Sequence, residues 1–243
     1  MITKVVISAA GQGTRMLELS KNTSKHLIKV KDKPFLAYLL ENVYQAGYKE
    51  IILVVGFKGE LIKQFADDFA KNKPGLNIQI ISQFEILGPK EKEYGTACPI
   101  KCAKNLVGAE NFISLAGDNF YTVEQLKAVN IDDAFSYVAG VKHEHPEQFG
   151  VLVEEYGYLK EIKEKPQEFV SNLINISLYK FTPEIFETIS KIKKSSRGEY
   201  EITDAISLLA KEKKVKIKKM KDFWMDFGRP EDIEKFSKFL QSK

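Results

Sequence analysis

Four apolar runs of strand length, residues 5–9, 51–55, 78–81 and 112–116, alternate with stretches whose apolar residues recur at helical spacing. Leu36, Leu39, Leu40 and Val43 share one helical face ahead of Gly47, and Leu61, Ile62, Phe65 and Phe69 share another. Residues 97–106 read as a third helix. Runs with so little polar interruption need cover on both faces. The alternation therefore predicts an α/β fold, a mostly parallel mixed sheet flanked by helices.

The second half changes character. Residues 135–141, 150–154, 158–164 and 174–181 are strand-like, with Tyr156-Gly157 as a hairpin turn. Helices are expected at 183–191, 202–211 and 231–240, and a strand at 215–219. No linker rich in Pro, Gly or Ser divides the 243 residues. One domain is expected over 1–243, with a nucleotide-type half at 1–130 and a more antiparallel half at 131–243.

The apolar runs are too short to cross a bilayer. Lys4 and the run after it read better as a strand entering a glycine loop than as a signal peptide. Cys98 and Cys102 are too few for a disulfide scaffold and lack partners at zinc spacing. A cytoplasmic protein without a membrane partner is expected. Lys and Arg number 37 against 33 Asp and Glu, a net charge of +4. That balance allows an anionic substrate. No basic cluster interleaves with aromatics, so no nucleic-acid partner is expected.

The first run ends in Ala10-Gly11-Gln12-Gly13-Thr14-Arg15. In an open parallel sheet, ligands sit beyond the carboxyl ends of the strands. Two glycines let the backbone approach a ligand and turn its N–H groups toward anionic oxygens. Arg15 offers a planar fork matched to phosphate, and Lys25 a point charge. The pattern suits a polyphosphate; it also suits a plain tight turn with a solvated arginine. Met16 stands where a dinucleotide fingerprint needs a third glycine, and no Gly-Lys-Ser/Thr follows as in a P-loop. Both of those loops are argued against.

Asp118 closes the fourth run in Gly117-Asp118-Asn119, and Asp226 lies in Trp224-Met225-Asp226. Two carboxylates with phosphate oxygens and waters suit Mg²⁺. A lone Asp after a strand is also an ordinary cap or turn residue. Glu164-Lys165-Pro166 ends another strand, and Pro166 biases Lys165 toward extended backbone.

Together these segments resemble the sugar-1-phosphate nucleotidylyltransferases, the NDP-sugar pyrophosphorylases. The likeness covers nearly the whole chain in the family's order. It runs from Gly11 to Lys25, then through Tyr94-Gly95-Thr96-Ala97, Gly117-Asp118-Asn119 and Phe149-Gly150-Val151. Glu164-Lys165-Pro166, residues 175–179, Glu201-Ile202-Thr203-Asp204 and Trp224-Met225-Asp226 complete it. The resemblance implies a Rossmann-like sheet of the nucleotide-diphospho-sugar transferase type, an NTP and a sugar 1-phosphate as substrates, and Mg²⁺ as cofactor. It implies that Arg15 and Lys25 are catalytic, holding the triphosphate and the reacting phosphate. Asp118 and Asp226 would hold the metal. Ala10, Gly11, Gly13, Thr14, Gln83, Gly95 and Thr96 would line the nucleotide, and Gly150, Glu164, Lys165 and Asn175 the sugar phosphate. His26, His143 and His145 are expected to be non-catalytic. A homo-oligomer is compatible with the resemblance.

Several positions depart from the family pattern. Glu18 and Ser24 replace two prolines of the opening loop, which is expected to be more mobile for it. Glu18 and Gly56-Phe57-Lys58-Gly59 look like some glucose-1-phosphate cytidylyltransferases, whereas residues 201–206 look like the uridylyl and thymidylyl branches. Ser177 stands where a sugar-side glycine is usual. Eleven residues separate Gln83 from Gly95, with Lys90–Glu93 resembling an insertion. No hexapeptide-repeat acyltransferase domain is expected. UTP or dTTP with glucose 1-phosphate is the leading substrate pair. The alternatives are a cytidylyl or guanylyl transfer to another sugar phosphate or phosphocholine, and a non-catalytic nucleotide-sugar-binding regulatory protein.

Overall fold

The computed structural model describes residues 1–242. Lys243, the last residue of the expected second half, lies outside them. A nine-stranded mixed sheet organises the chain. Its strands are β1 (Lys4–Ala9), β2 (Glu50–Val55), β3 (Asn77–Ser82), β4 (Phe112–Ala116) and β5 (Ser136–Lys142). Then come β6 (Gly150–Glu155), β7 (Tyr158–Glu164), β8 (Leu173–Phe181) and β9 (Val215–Met220). β3, β2, β1 and β4 lie side by side and parallel. β8 runs antiparallel against β4 and pairs on to β5 and β6. The β6–β7 hairpin turns at Tyr156-Gly157, where both residues have positive φ, 50° and 82°.

Period-two burial explains why the central strands sit inside. Val6, Ile52 and Val54 face one apolar cluster, while Val5, Ile7, Ile51, Leu53 and Val55 face the other. Helix Phe35–Gln45 buries Leu36, Leu39, Leu40 and Val43, as its spacing predicts. Among the described residues no helix is long and apolar enough to cross a membrane.

Three elements differ from expectation. The helix over 97–106 is interrupted at Ala103, whose N–H is shared between the carbonyls of Pro99 and Ile100. Residues 14–20 form a 3₁₀ helix where the sequence reads as loop. A helix at Val123–Ala128 went unread, although Thr122 and Gln125 close a capping box on its first turn.

A third apolar cluster joins the segments that carry the candidate site residues. Met16, Phe35, Phe120, Met225, Phe227 and Phe236 pack together, with Phe35 and Phe227 stacked at 4.2 Å between centroids. This cluster ties the first loop, the segment after β4, the Asp226 segment and the C-terminal helix Glu231–Gln241 into one unit.

Candidate active site

Because β1 to β4 are parallel, the loops carrying Gly11, Gln83 and Asp118 leave the sheet on the same edge. Gly13 opens the 3₁₀ helix with φ 68°, a left-handed conformation suited to glycine. A Cβ there would also lie 2.9 Å from the Lys25 Cβ. Ala10 is buried at the loop's start, Gly11 lies under the Lys25 ammonium, and Thr14 and Arg15 are exposed.

The loop lacks two prolines and is held by other means. Lys58 Nζ donates to the carbonyls of Ser20, at 3.0 Å, and Lys21, and Ser20 Oγ donates to Gly13 O at 3.0 Å. The left-handed Lys58 backbone (φ 55°) starts helix Gly59–Lys71 at the carboxyl end of β2.

Lys25 is 8% exposed and pairs with Asp118. A two-stranded ladder sets Asn119 opposite Asp226, and Phe227 N donates to Asp118 O at 2.7 Å. The two carboxylates, far apart in sequence, thereby become neighbours. A Cβ built on Gly228 would stand 3.2 Å from Asp226 Oδ2 and 3.5 Å from the Arg15 guanidinium, so Arg15 reaches the same place.

Burial alone would raise Asp118; the Lys25 ammonium outweighs it and holds that carboxyl below its usual range. Asp226 is pushed up to about 6 by burial and then by repulsion from Asp118, against the pull of Lys25 and Arg15. Two adjacent carboxylates that resist ionising together lack a positive charge, and a divalent cation with substrate oxygens would supply it. Among the described residues no group of three or more His, Cys, Asp and Glu side chains could hold a metal alone. The site therefore fits a cation that keeps most of its shell for substrate and water. His26 is buried, shares a 2.9 Å hydrogen bond with Ser24 Oγ, and is lowered to about 3 by burial and then by Lys25. It stays neutral.

Gln83 opens helix Gln83–Leu87 and is 1% exposed, yet neither atom of its amide has a partner. The Trp224 indole N–H is likewise buried and unpartnered, with its ring edge-on to Phe149 at 5.7 Å. Unsatisfied buried polar atoms are costly, and a bound ligand relieves them. Trp224 is a residue to which the sequence reading assigned no role, although its motif was visible.

Gly95 lies against the Tyr200 backbone. Tyr200 N donates to Tyr94 O at 2.9 Å, and Ala97 N donates to Tyr200 O at 3.0 Å. Thr96 Oγ1 accepts from Ile202 N at 2.9 Å and donates to Glu201 Oε2 at 3.2 Å. Glu201 is buried and receives Arg197 at 2.8 Å. Glu201 and Arg197 thus brace the Gly95-Thr96 loop, a role unseen in the sequence.

Of the residues expected at the sugar phosphate, a Cβ on Gly150 would lie 3.2 Å from Glu164 Oε2 and 3.8 Å from the Asn175 Cβ, so these three residues meet. The β8–β5 pairing shifts register between Asn175 and Tyr179. Asn119 Nδ2 and Tyr121 Oη donate to Ile176 O at 3.1 and 2.9 Å, which ties this irregularity to the Asp118 segment. Lys165 is not extended, as Pro166 implied, but left-handed with φ 43°; its N–H donates to Phe149 O at 3.0 Å, and that bond with the chain reversal after β7 overrides the local bias.

Ser177 is left-handed too, at φ 54°, which is why a glycine suits that position. Its N–H donates to Asn175 Oδ1 at 3.0 Å. Ser177→Val places a β-branched residue in this conformation and is expected to cost about 2 kcal/mol, with Ser177→Gly within about 1 kcal/mol of the parent. Denaturant unfolding checks this; equal stability of the Val variant would show that the backbone here is free to relax.

The chain matches the nucleotidyl transferase family over residues 4–243 and belongs to it. It is similar to the bifunctional protein GlmU of Methanocaldococcus jannaschii, 38% identical over 240 residues, covering 98% of this chain and 54% of that protein. It is also similar to the UTP–glucose-1-phosphate uridylyltransferase AglF of Haloferax volcanii, 32% identical, covering 99% of this chain and 97% of that one. A solved UDP-glucose pyrophosphorylase complexed with UDP-glucose superimposes with a TM-score of 0.81, at 25% identity over 100% of both chains. The chain spans about half the length, 54%, of the GlmU relative.

Proposed function

We propose that residues 1–243 act as one nucleotidyltransferase unit that makes an NDP-sugar and pyrophosphate from an NTP and a hexose 1-phosphate. UTP or dTTP with glucose 1-phosphate is the favoured pair, as the uridylyltransferase relative suggests. The observation that carries this reading is the convergence of Arg15, Lys25, Asp118 and Asp226 beside a glycine loop at the carboxyl edge of the parallel strands. In this reading residues 1–130 bind the nucleotide, with Ala10, Gly11, Gly13 and Thr14 at its phosphates and Gln83, Gly95 and Thr96 around the nucleoside. Residues 131–243 bind the sugar phosphate through Gly150, Glu164, Lys165 and Asn175.

The reaction needs no general base. A phosphate monoester has its second pKa near 6, so the attacking oxygen is already largely deprotonated at neutral pH. That oxygen forms a bond to the α-phosphorus of the NTP while the bond to the β-phosphate oxygen breaks, and pyrophosphate carries the electron pair away. What the protein must do is hold two polyanions in line and offset the charge that develops. Arg15 takes the departing pyrophosphate, Lys25 the reacting phosphate and Lys165 the sugar phosphate. Asp118 and Asp226 would hold Mg²⁺, which when bound neutralises triphosphate charge.

The test is pyrophosphate release with Mg²⁺ across UTP, dTTP, CTP, GTP and ATP against several sugar 1-phosphates. Activity is expected with UTP or dTTP and glucose 1-phosphate, and Asp226→Asn is expected to lower it by about 10²-fold or more. Silence across the grid, or an Asp226→Asn variant at full activity, overturns the reading.

A further inference from the structure

The stretch between Gln83 and Gly95 has no role in the reaction as described. It begins where helix Gln83–Leu87 stops at Gly88 with φ 84°, and it turns back over the first loop. Lys90 Nζ donates to Gln12 Oε1 at 3.1 Å and stands 4.7 Å from the centroid of the Tyr94 ring. Tyr94 is itself half-buried, and burial and then the Glu199 carboxylate raise its hydroxyl above the usual range. Glu93 pairs with Lys101 at 2.5 Å, and Tyr94 O accepts from Tyr200 N at 2.9 Å, so the stretch is fixed at its far end. Its near end follows the buried Gln83.

This arrangement aims an exposed ammonium at Gln12, the residue between Gly11 and Gly13. Among the described residues, Lys90 belongs to no ion pair, whereas Lys25 is already paired with Asp118 and Lys101 with Glu93. An amide oxygen is a weak partner for an ammonium compared with an anionic one. A polyanion arriving at the Gly11–Gly13 loop would therefore draw Lys90 from Gln12. The ring of Tyr94 would keep the amine close to the loop in either position.

We infer that Lys90 is a polyphosphate-binding residue that leaves Gln12 to pair with the terminal phosphates of the NTP, and with pyrophosphate in the reverse reaction. This rests on the proposed reading of the site and extends it to a cation carried by the Lys90–Glu93 stretch. The move latches residues 88–94 over the nucleotide. Lys90 then discriminates between ligands: it strengthens binding of the polyphosphate and leaves the sugar phosphate untouched, because Gly150, Glu164 and Asn175, which take the sugar phosphate in the proposed reading, lie on β6, β7 and β8 and not on the Lys90–Glu93 stretch.

The experiment titrates the full chain and its Lys90→Ala and Lys90→Arg variants with UTP and with inorganic pyrophosphate, each with Mg²⁺, by calorimetry. Glucose 1-phosphate is followed through its KM in the forward reaction. Lys90→Ala is expected to weaken both polyphosphates about 5- to 30-fold, the loss of one charge-assisted contact. Lys90→Arg should stay within about 3-fold of the parent, since it keeps the charge. The KM for glucose 1-phosphate should not change. Unaltered polyphosphate affinity in Lys90→Ala overturns the assignment, and so does an equal loss for the sugar phosphate. A parent chain that binds pyrophosphate with Lys90-dependent affinity, but turns over no sugar phosphate, would retain the Lys90 assignment and reject the proposed reaction. A parent chain that binds neither polyphosphate overturns both.

Discussion

Lys25→Met is expected to lower turnover by about 10²- to 10³-fold and to destabilise the fold by about 3 kcal/mol at neutral pH. The two effects have one origin. Lys25 is buried, pairs with Asp118 and pulls on Asp226, so its loss leaves Asp118 without its ammonium partner and Asp226 dependent on Arg15. An uncompensated buried charge costs far more than the intact pair gains. Asp118 is held below its usual range, so its stabilising contribution is present above the unfolded-state pKa of about 3.9 and disappears as pH falls through the folded value. The gap between parent and variant should therefore be widest near pH 7 and should narrow on acidification below about pH 4. Thermal unfolding at the two pH values measures it, with about 3 kcal/mol corresponding to a shift of about 6–12 °C for a chain of this length. A gap that ignores pH would assign the loss to packing of the Lys25 stem on Gly11 and Gly13. Parent-like turnover would remove Lys25 from the reacting centre.

How much of this was legible beforehand depends on whether the signal was local. β1, β2 and β4 were readable because unbroken apolar runs have few other uses than a strand covered on both faces. The place of Arg15 and Lys25 at the carboxyl edge of the sheet was readable because a glycine loop after such a strand has a known place there. The meeting of Asp118 with Asp226 had no local signal and followed only from the family resemblance. It depends on the two-residue ladder between Asn119-Phe120 and Met225-Asp226, and on aromatic packing of Phe120, Phe227 and Phe236. Neither leaves a periodic trace. Lys165 shows the opposite case, a local rule that tertiary context overrides: Phe149 O takes its N–H and the backbone turns left-handed despite Pro166. Glu201 was visible as a motif residue, but its role comes from Thr96 and Arg197, and only the folded chain brings all three together.

Gly95→Ala is the substitution expected to damage the proposed nucleotide side most. A Cβ on Gly95 would lie 2.3 Å from Tyr200 O, 2.5 Å from Tyr200 N and 2.8 Å from Tyr200 C. These are backbone atoms, so no side chain can swing aside. The glycine also has φ 138°, a conformation that L side chains rarely adopt. To admit the methyl, residues 94–97 must separate from 199–202. That breaks the Tyr200–Tyr94 and Ala97–Tyr200 hydrogen bonds and pulls Thr96 from Ile202 N and Glu201. Several part-buried hydrogen bonds at about 1 kcal/mol each, together with the backbone strain, put the cost at about 3–5 kcal/mol. The expected fall in Tm is about 6–20 °C, with a raised KM for the NTP if, as proposed, Gly95 and Thr96 line the nucleoside. Gly108→Ala separates the two contributions. Gly108 also has positive φ, 68°, but a Cβ there meets nothing within 4 Å. It should cost only the conformational penalty of about 1–2 kcal/mol. If both variants unfold at the same temperature, the close approach to Tyr200 is not what holds the loop; if Gly95→Ala alone collapses, the site depends on a contact too tight for any side chain.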